Sequence, residues 1–129
     1  MEIGLASAED RDLIRGWVDQ WGVLEPHEVP ALADDIYVVR IEGRPVLACG
    51  LVTLEDGKYI RLSGMIKDPA ARSMRLEMKA LIDHMCSVAK EMGYGFIQLF
   101  SPSEKLARIY EENGFKAEAL AMIPMRREL

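Results

Sequence analysis

The sequence predicts an α/β (α+β) fold in which helices cover both faces of a mixed sheet, and three observations lead there. Between Ile36 and Ile66, runs rich in β-branched and aromatic residues are separated by tight-turn signals at Gly43-Arg44 and Asp56-Gly57, the pattern of an antiparallel meander. Beyond Pro69, apolar residues recur at Met74, Met78, Leu81, Ile82, Met85, Val88, Ala89 and Met92, a helical stripe that stops at Gly93. That helix lies between two strand candidates, and strand, helix, strand in succession imply a parallel pair beside the meander.

Glu2 to Ala6 reads as a first strand. Ser7, with Asp10 three residues on, is an Asp variant of the capping box and starts a helix over Ala8 to Trp21, where Leu13, Ile14, Trp17, Val18 and Trp21 share one face. Gly22, Pro26 and Pro30 break that pattern and leave an irregular stretch with one helical turn around His27 to Ala33. The meander strands are Ile36 to Glu42, Pro45 to Leu54 and Lys58 to Ile66, and Phe96 to Phe100 reads as a buried strand. Pro102 and Ser103 open a helix closed by Asn113-Gly114, and Ala117 to Met125 is a last strand that Pro124 places at an edge or bulge. Without repeat or linker, residues 1–129 are read as one domain.

Charge and cysteine usage exclude several function classes. The formal net charge is −5 and no cluster of Lys and Arg makes a face able to neutralise a phosphate backbone, so no nucleic acid partner is expected. Apolar runs such as Pro45 to Leu54 are far below membrane-spanning length, and Met1 to Asp10 is acidic, unlike a signal peptide. A cytoplasmic protein with no membrane partner is the expectation. Cys49 and Cys86 lack paired spacing and read as buried thiols of a reducing compartment. His27 and His84 belong to no ligand pair, so no metal is expected.

Two motifs close the later helices, A-K-E-M-G-Y at Ala89 to Tyr94 the long one and I-Y-E-E-N-G-F at Ile109 to Phe115 the next. With this element order they resemble the GNAT (GCN5-related N-acetyltransferase) superfamily. The resemblance covers nearly the whole chain in element order and Lys58 to Phe115 at the level of residues. It implies a GNAT-like acyl-CoA N-acyltransferase fold, with a mixed central sheet of six to seven strands and helices on both faces. It also implies acetyl-CoA as cosubstrate, its pantetheine arm hydrogen-bonded along the end of the Lys58 to Ile66 strand, at Met65, Ile66 and Lys67. The family's tyrosine, which protonates the departing thiolate, matches Tyr110. A phenol of pKa near ~10 can serve as general acid toward a thiolate of pKa near ~8.5. Packing of the ring against the core is the other role for Tyr110. A family asparagine seven residues earlier is Ser103 here, which can cap the helix instead.

The sequence departs from the family where the CoA pyrophosphate binds. There an R/Q-x-x-G-x-G/A turn uses glycines and a helix amino terminus to bring N–H groups onto the phosphates. With Arg72 as the motif arginine, Arg75 and Glu77 stand at the glycine positions; an alignment from Leu81 and Ala89 puts Leu76 and Met78 there. The cofactor-binding candidates at this end are Arg72, Ser73, Met74, Arg75 and Leu76. Arg72, Arg75 and Lys79 can add charged contacts to the phosphates or form a solvated face with Glu77 and Asp83. Glycine-poor domains of this kind also resemble small phage-encoded GNAT-like proteins, some of which are not enzymes.

No carboxylate lies within Lys58 to Ile66 to take the amine proton, which leaves Glu55, Asp56, Asp68, the Glu25 to Asp35 segment, or water. Acceptor recognition in such folds involves the first helix and the loop after it, here Trp17, Trp21, His27 and Glu28, with Asp34 and Asp35 able to attract a cationic amine; core packing and a solvated turn are the alternatives. Two functions follow. One is an acetyl-CoA-dependent N-acetyltransferase acting on a small-molecule or peptide amine by direct attack. The other is a catalytically inactive GNAT-like binding or assembly module, phage-related in character, with a homodimer as its expected assembly.

Overall fold

The structure, a computed structural model, describes residues 1–22, 35–99, 101, 104–116 and 127–128. Its elements are β1 (Glu2–Leu5), α1 (Ala8–Trp21), β2 (Asp35–Ile41), β3 (Arg44–Leu54), β4 (Tyr59–Leu62), β5 (Ile66–Lys67), α2 (Arg75–Glu91) and α3 (Glu104–Glu112). Among the described residues the sheet has five strands, in the order β1-β2-β3-β4, with β5 also paired to β3. All of these ladders are antiparallel, and the parallel component is one bridge, Arg61 to Gln98. The expected turn around His27 to Ala33 and the strand Ala117 to Met125 lie outside the described residues.

Alternation along β2 and β3 builds two cores. Val39, Leu47, Cys49 and Leu51 meet Leu81, Met85 and Ala89 of α2, together with Ile60 and Leu62 of β4. Ile36, Val38 and Ala48 point the other way and meet Ile14 and Trp17 of α1, with Ile66 of β5. The two helices therefore cover opposite faces, as the period-2 pattern requires. No described helix is long and apolar enough to cross a membrane.

Both bonds of the expected capping box are present: the Asp10 N–H donates to Ser7 Oγ at 3.1 Å, and the Ser7 N–H to Asp10 Oδ2 at 2.8 Å. Asp10, only 6% exposed, also accepts from the Arg40 guanidinium on β2, which ties the start of α1 to the sheet. The start of α2 differs. The sequence stripe begins at Met74, but Pro69 and an Asx turn, in which the Ala70 N–H donates to Asp68 Oδ1 at 2.9 Å, delay the helix to Arg75. Met74 at the cap position makes no side-chain cap bond.

Three further expectations are corrected. The turn after β2 is Glu42-Gly43, both with positive φ (52° and 77°), and Arg44 already pairs with Ile41. The expected strand Lys58 to Ile66 is split into β4 and β5 by an extra residue between Leu62 and Ile66. Leu62 opposes Leu51 while Ile66 opposes Ala48, so three residues face two, which is a β-bulge. Phe96 to Phe100 is not a buried strand in its described part: only Gln98 bridges, and Phe96 is 58% exposed, tilted against Tyr59.

The two motifs behind the family resemblance have one physical origin. After α2 the Tyr94 N–H donates to Ala89 O and the Gly93 N–H to Lys90 O; after α3 the Phe115 N–H donates to Tyr110 O and the Gly114 N–H to Glu111 O. Each is a Schellman ending, with glycine in the left-handed region (φ 97° and 91°) and an aromatic next in line. Phe115 returns against the Tyr110 ring edge-on, at 5.8 Å between centroids.

Candidate active site

The bulge between β4 and β5 organises the candidate site. Gly50 of β3 accepts from the Ser63 N–H at 2.9 Å, and its own N–H donates to Ser63 Oγ at 2.8 Å rather than to a strand carbonyl. The Ser63 hydroxyl donates onward to Gly64 O at 3.1 Å, and the Cys49 thiol donates to Ser63 O at 3.3 Å. A side chain thus takes over one rung of the ladder, which lets the backbone of Ser63 to Met65 swing away from β3.

The bulge also decides which backbone groups face outward. Val46 and Gly50 both direct carbonyls to the β4–β5 edge of β3, so alternation turns Ala48 toward Ile66. The N–H and C=O of Met65 and Lys67 consequently point away from β3. The segment that should flank them stays with β4: the Leu62 N–H donates to Gln98 O at 2.8 Å and the Gln98 N–H to Ile60 O at 3.1 Å. Among the described residues the backbone of Met65 makes no hydrogen bond, and the Lys67 carbonyl is reached by one side chain, the Trp21 indole, whose Nε1–H donates to it at 2.8 Å.

Tyr110 is buried, and its hydroxyl makes no hydrogen bond among the described residues. Burial pushes its pKa well above the usual phenol value, and the nearby Cys49 thiol raises it further. The Cys49 thiol is itself raised from 9.0 to about 12, chiefly by burial, against the lowering effect of its bonds to Ser63 and Gly50. Both groups stay protonated at any physiological pH. Cys49 and Ser63 thus form a buried, neutral pair at the bulge, and Tyr110 is near enough for the Cys49 thiol to raise its pKa, so in both surroundings an anion is penalised.

The other predicted cofactor residues form a separate, exposed group. Ile66 is buried against α1, with its backbone turned to Ala48, so of the strand candidates Met65 and Lys67 present backbone to the outer edge. Arg72, Ser73, Arg75 and Leu76 are exposed, Leu76 at 78%, and Met74 is half-buried. The first-turn N–H groups of α2 lack a side-chain cap, while Glu77 places a carboxylate in that turn. Lys79 pairs with Asp83 at 3.1 Å, which fits the solvated-face reading for that residue. Ser103, His27, Glu28 and Asp34 lie outside the described residues.

Of the base candidates, Glu55 and Asp56 sit in the turn at the far end of β4 from the bulge, and Asp68 Oδ1 caps Ala70. The two tryptophans part company: Trp17 is core, whereas Trp21 is 50% exposed at the end of α1. Sequence reasoning missed Ser63, Cys49 and the Trp21 to Lys67 contact. Gly64 within a strand pattern was the available signal for the bulge. Among the described residues no three His, Cys, Asp or Glu side chains cluster as metal ligands.

No family model and no curated protein matches the sequence. Solved structures do match, over nearly the full length of both chains. A ribosomal-protein-alanine N-acetyltransferase from Brucella melitensis biovar Abortus aligns with a TM-score of 0.71 at 16% identity, covering 98% of each chain. An aminoglycoside N-acetyltransferase in complex with CoA gives 0.69 at 15% identity, covering 98% of this chain and 99% of the other. A predicted acetyltransferase from Clostridium acetobutylicum, solved with acetyl-CoA, gives 0.64 at 12% identity, covering 97% and 95%.

Proposed function

From the α+β fold shared with GNAT acetyltransferases, we propose that this chain is an acyl-CoA-dependent N-acetyltransferase that transfers an acetyl group from acetyl-CoA to a primary amine by direct attack. The observation that carries the reading is the split edge strand, with the outward backbone of Met65 and Lys67 beside the buried Cys49–Ser63 contact at the bulge, and the buried Tyr110 near enough to feel the Cys49 thiol. An extended amide-bearing arm pairs with such an edge as an added strand does. The first-turn amides of α2, with Arg72 and Ser73, would receive the pyrophosphate.

The chemistry asked of the chain is modest. The amine nitrogen forms the new C–N bond and the C–S bond breaks. The thiolate takes its proton from the Tyr110 hydroxyl, and the amine proton leaves to water. Burial raises the phenol pKa, so the Tyr110 hydroxyl keeps its proton until a thiolate departs beside it, where the same burial penalises the thiolate anion too. Tyr110 stands protonated before each turnover. The acceptor is a small molecule or peptide bearing a primary amine.

Calorimetric titration with acetyl-CoA tests this first, with saturable binding expected at a Kd in the range of about 1 μM to 1 mM. A flat titration of folded protein overturns it. One observation favours a second reading, a catalytically inactive binding or assembly module: the first turn of α2 holds no glycine, whether Arg75 and Glu77 or Leu76 and Met78 align with the positions where glycines would let phosphates reach the backbone. A flat titration together with a homodimer in sedimentation would establish that reading instead.

A further inference from the structure

We infer that Trp21 gates the acyl-donor groove by occupying the Lys67 carbonyl, an inference that rests on the acyltransferase reading above. Lys67 lies between the bulge at Ser63 to Met65 and the loop that leads into α2. Any arm that joins the first turn of α2 to the bulge passes this residue. Outward backbone is offered there by Met65 and Lys67, whose amides are roughly 7 Å apart, two strand residues. The Met65 groups are unengaged among the described residues, whereas the Lys67 C=O already accepts from the indole of Trp21 at 2.8 Å.

Trp21 is not a core side chain borrowed for the purpose. It sits one helical turn beyond Trp17, which is core, and keeps 50% of its surface exposed in the last turn of α1. Gly22 follows with φ 66°, ending the helix at that point. The indole is therefore delivered to the edge by a rigid element, while its exposure leaves it able to rotate away. Lys67 is fixed from its other end, because its Nζ donates to Ala71 O at 3.2 Å. An arm N–H that takes the Lys67 carbonyl must displace the indole N–H, since both approach from the outer side of the strand. Trp21 thus sets how tightly a pantetheine-bearing ligand seats without touching the reacting atoms.

The test is Trp21→Phe, which keeps an aromatic ring and removes the donor. CoA is titrated into both proteins by calorimetry, with adenosine 3′,5′-bisphosphate, which lacks the arm, as the comparison ligand. We expect the variant to bind CoA roughly three- to tenfold more tightly, the range of one net hydrogen bond. Binding of adenosine 3′,5′-bisphosphate should be the same in both. In the wild type, CoA should also increase acrylamide quenching of indole fluorescence as Trp21 is released. Equal or weaker CoA binding by Trp21→Phe overturns the gate and leaves the acyltransferase reading standing. Flat titrations of both folded proteins overturn the gate and the acyltransferase reading together.

Discussion

At the proposed reaction end of the site, Ser63, Cys49 and Tyr110 are buried, and Gly50, Ser63, Gly64 and Cys49 are knitted by hydrogen bonds of 2.8–3.3 Å. At the proposed phosphate end, Arg72 and Ser73 precede α2 and Arg75 and Leu76 open it, all four exposed, and that first turn has no side-chain cap. The first end is part of the core, so its geometry is fixed by the same packing that holds β3 to β4 and α2. The second joins the core through Lys67, which opposes Leu47, through Asp68, whose N–H donates to Val46 O, and through the body of α2. Substitution at the reaction end must therefore alter stability, chemistry or both, whereas substitution at the phosphate end should alter affinity alone.

The largest expected effect is at Tyr110. Tyr110→Phe keeps the ring that meets Phe115 in the Schellman ending and removes only the hydroxyl. We expect kcat to fall about 100-fold, the low end for loss of a general acid, with the thermal midpoint nearly unchanged. An unchanged kcat would return Tyr110 to a packing role and erase the distinction between the two ends.

Next comes Ser63→Ala, which strands the buried Gly50 N–H. Urea unfolding should show a loss of about 1–3 kcal/mol. A loss below a few tenths would mean that the bulge does not depend on its side-chain rung.

The third effect is a pH dependence. The Cys49 thiol is raised in the folded state from 9.0 to about 12, so the stability it confers is complete below pH 9.0 and is lost as pH rises toward 12. Unfolding free energy should fall over that window, with Cys49 contributing about 1.4 kcal/mol per pH unit. Cys49→Val should make the slope shallower by one proton; the same slope in both proteins would contradict the buried position of the thiol.

The smallest effect is at the phosphate end. Glu77→Gln should tighten acetyl-CoA binding about two- to fivefold at low salt, since a carboxylate in the first turn of α2 competes with a bound anion. The gain should vanish in concentrated salt, with kcat unaffected. A change in kcat instead would show that the two ends are coupled.

Local signals made some of the fold readable from sequence and left other parts hidden. The bounds of α1 follow from Ser7, Asp10 and Gly22 because a capping box and a left-handed glycine are local chemistry. Tyr110 and Phe115 were legible for the same reason, since a Schellman ending is written in six consecutive residues. The division of β4 from β5 was not, because it depends on how Ser63 meets Gly50 across thirteen residues of chain. The apolar run at Phe96 reads as buried strand, yet burial requires cover, and among the described residues only Arg61 bridges it. Trp21 and Trp17 share one helical face, and only the position of Lys67 separates a core ring from an edge contact.

The strand β3 carries two irregularities, one on each side. Val46 is an extra residue against β2, where Val39 opposes Leu47 but Arg40 opposes Pro45, and the Ser63 to Met65 stretch adds a residue on the other edge. Each such insertion increases local twist and bends the ribbon. Curvature of the whole sheet is thereby concentrated around Leu47 to Gly50, and a neighbour that follows β4 diverges from β5 as a matter of shape. That divergence is then a property of the backbone and of its register. Residues in the first turn of α2, Arg75 and Glu77 among them, can therefore change without altering the divergence of β4 from β5.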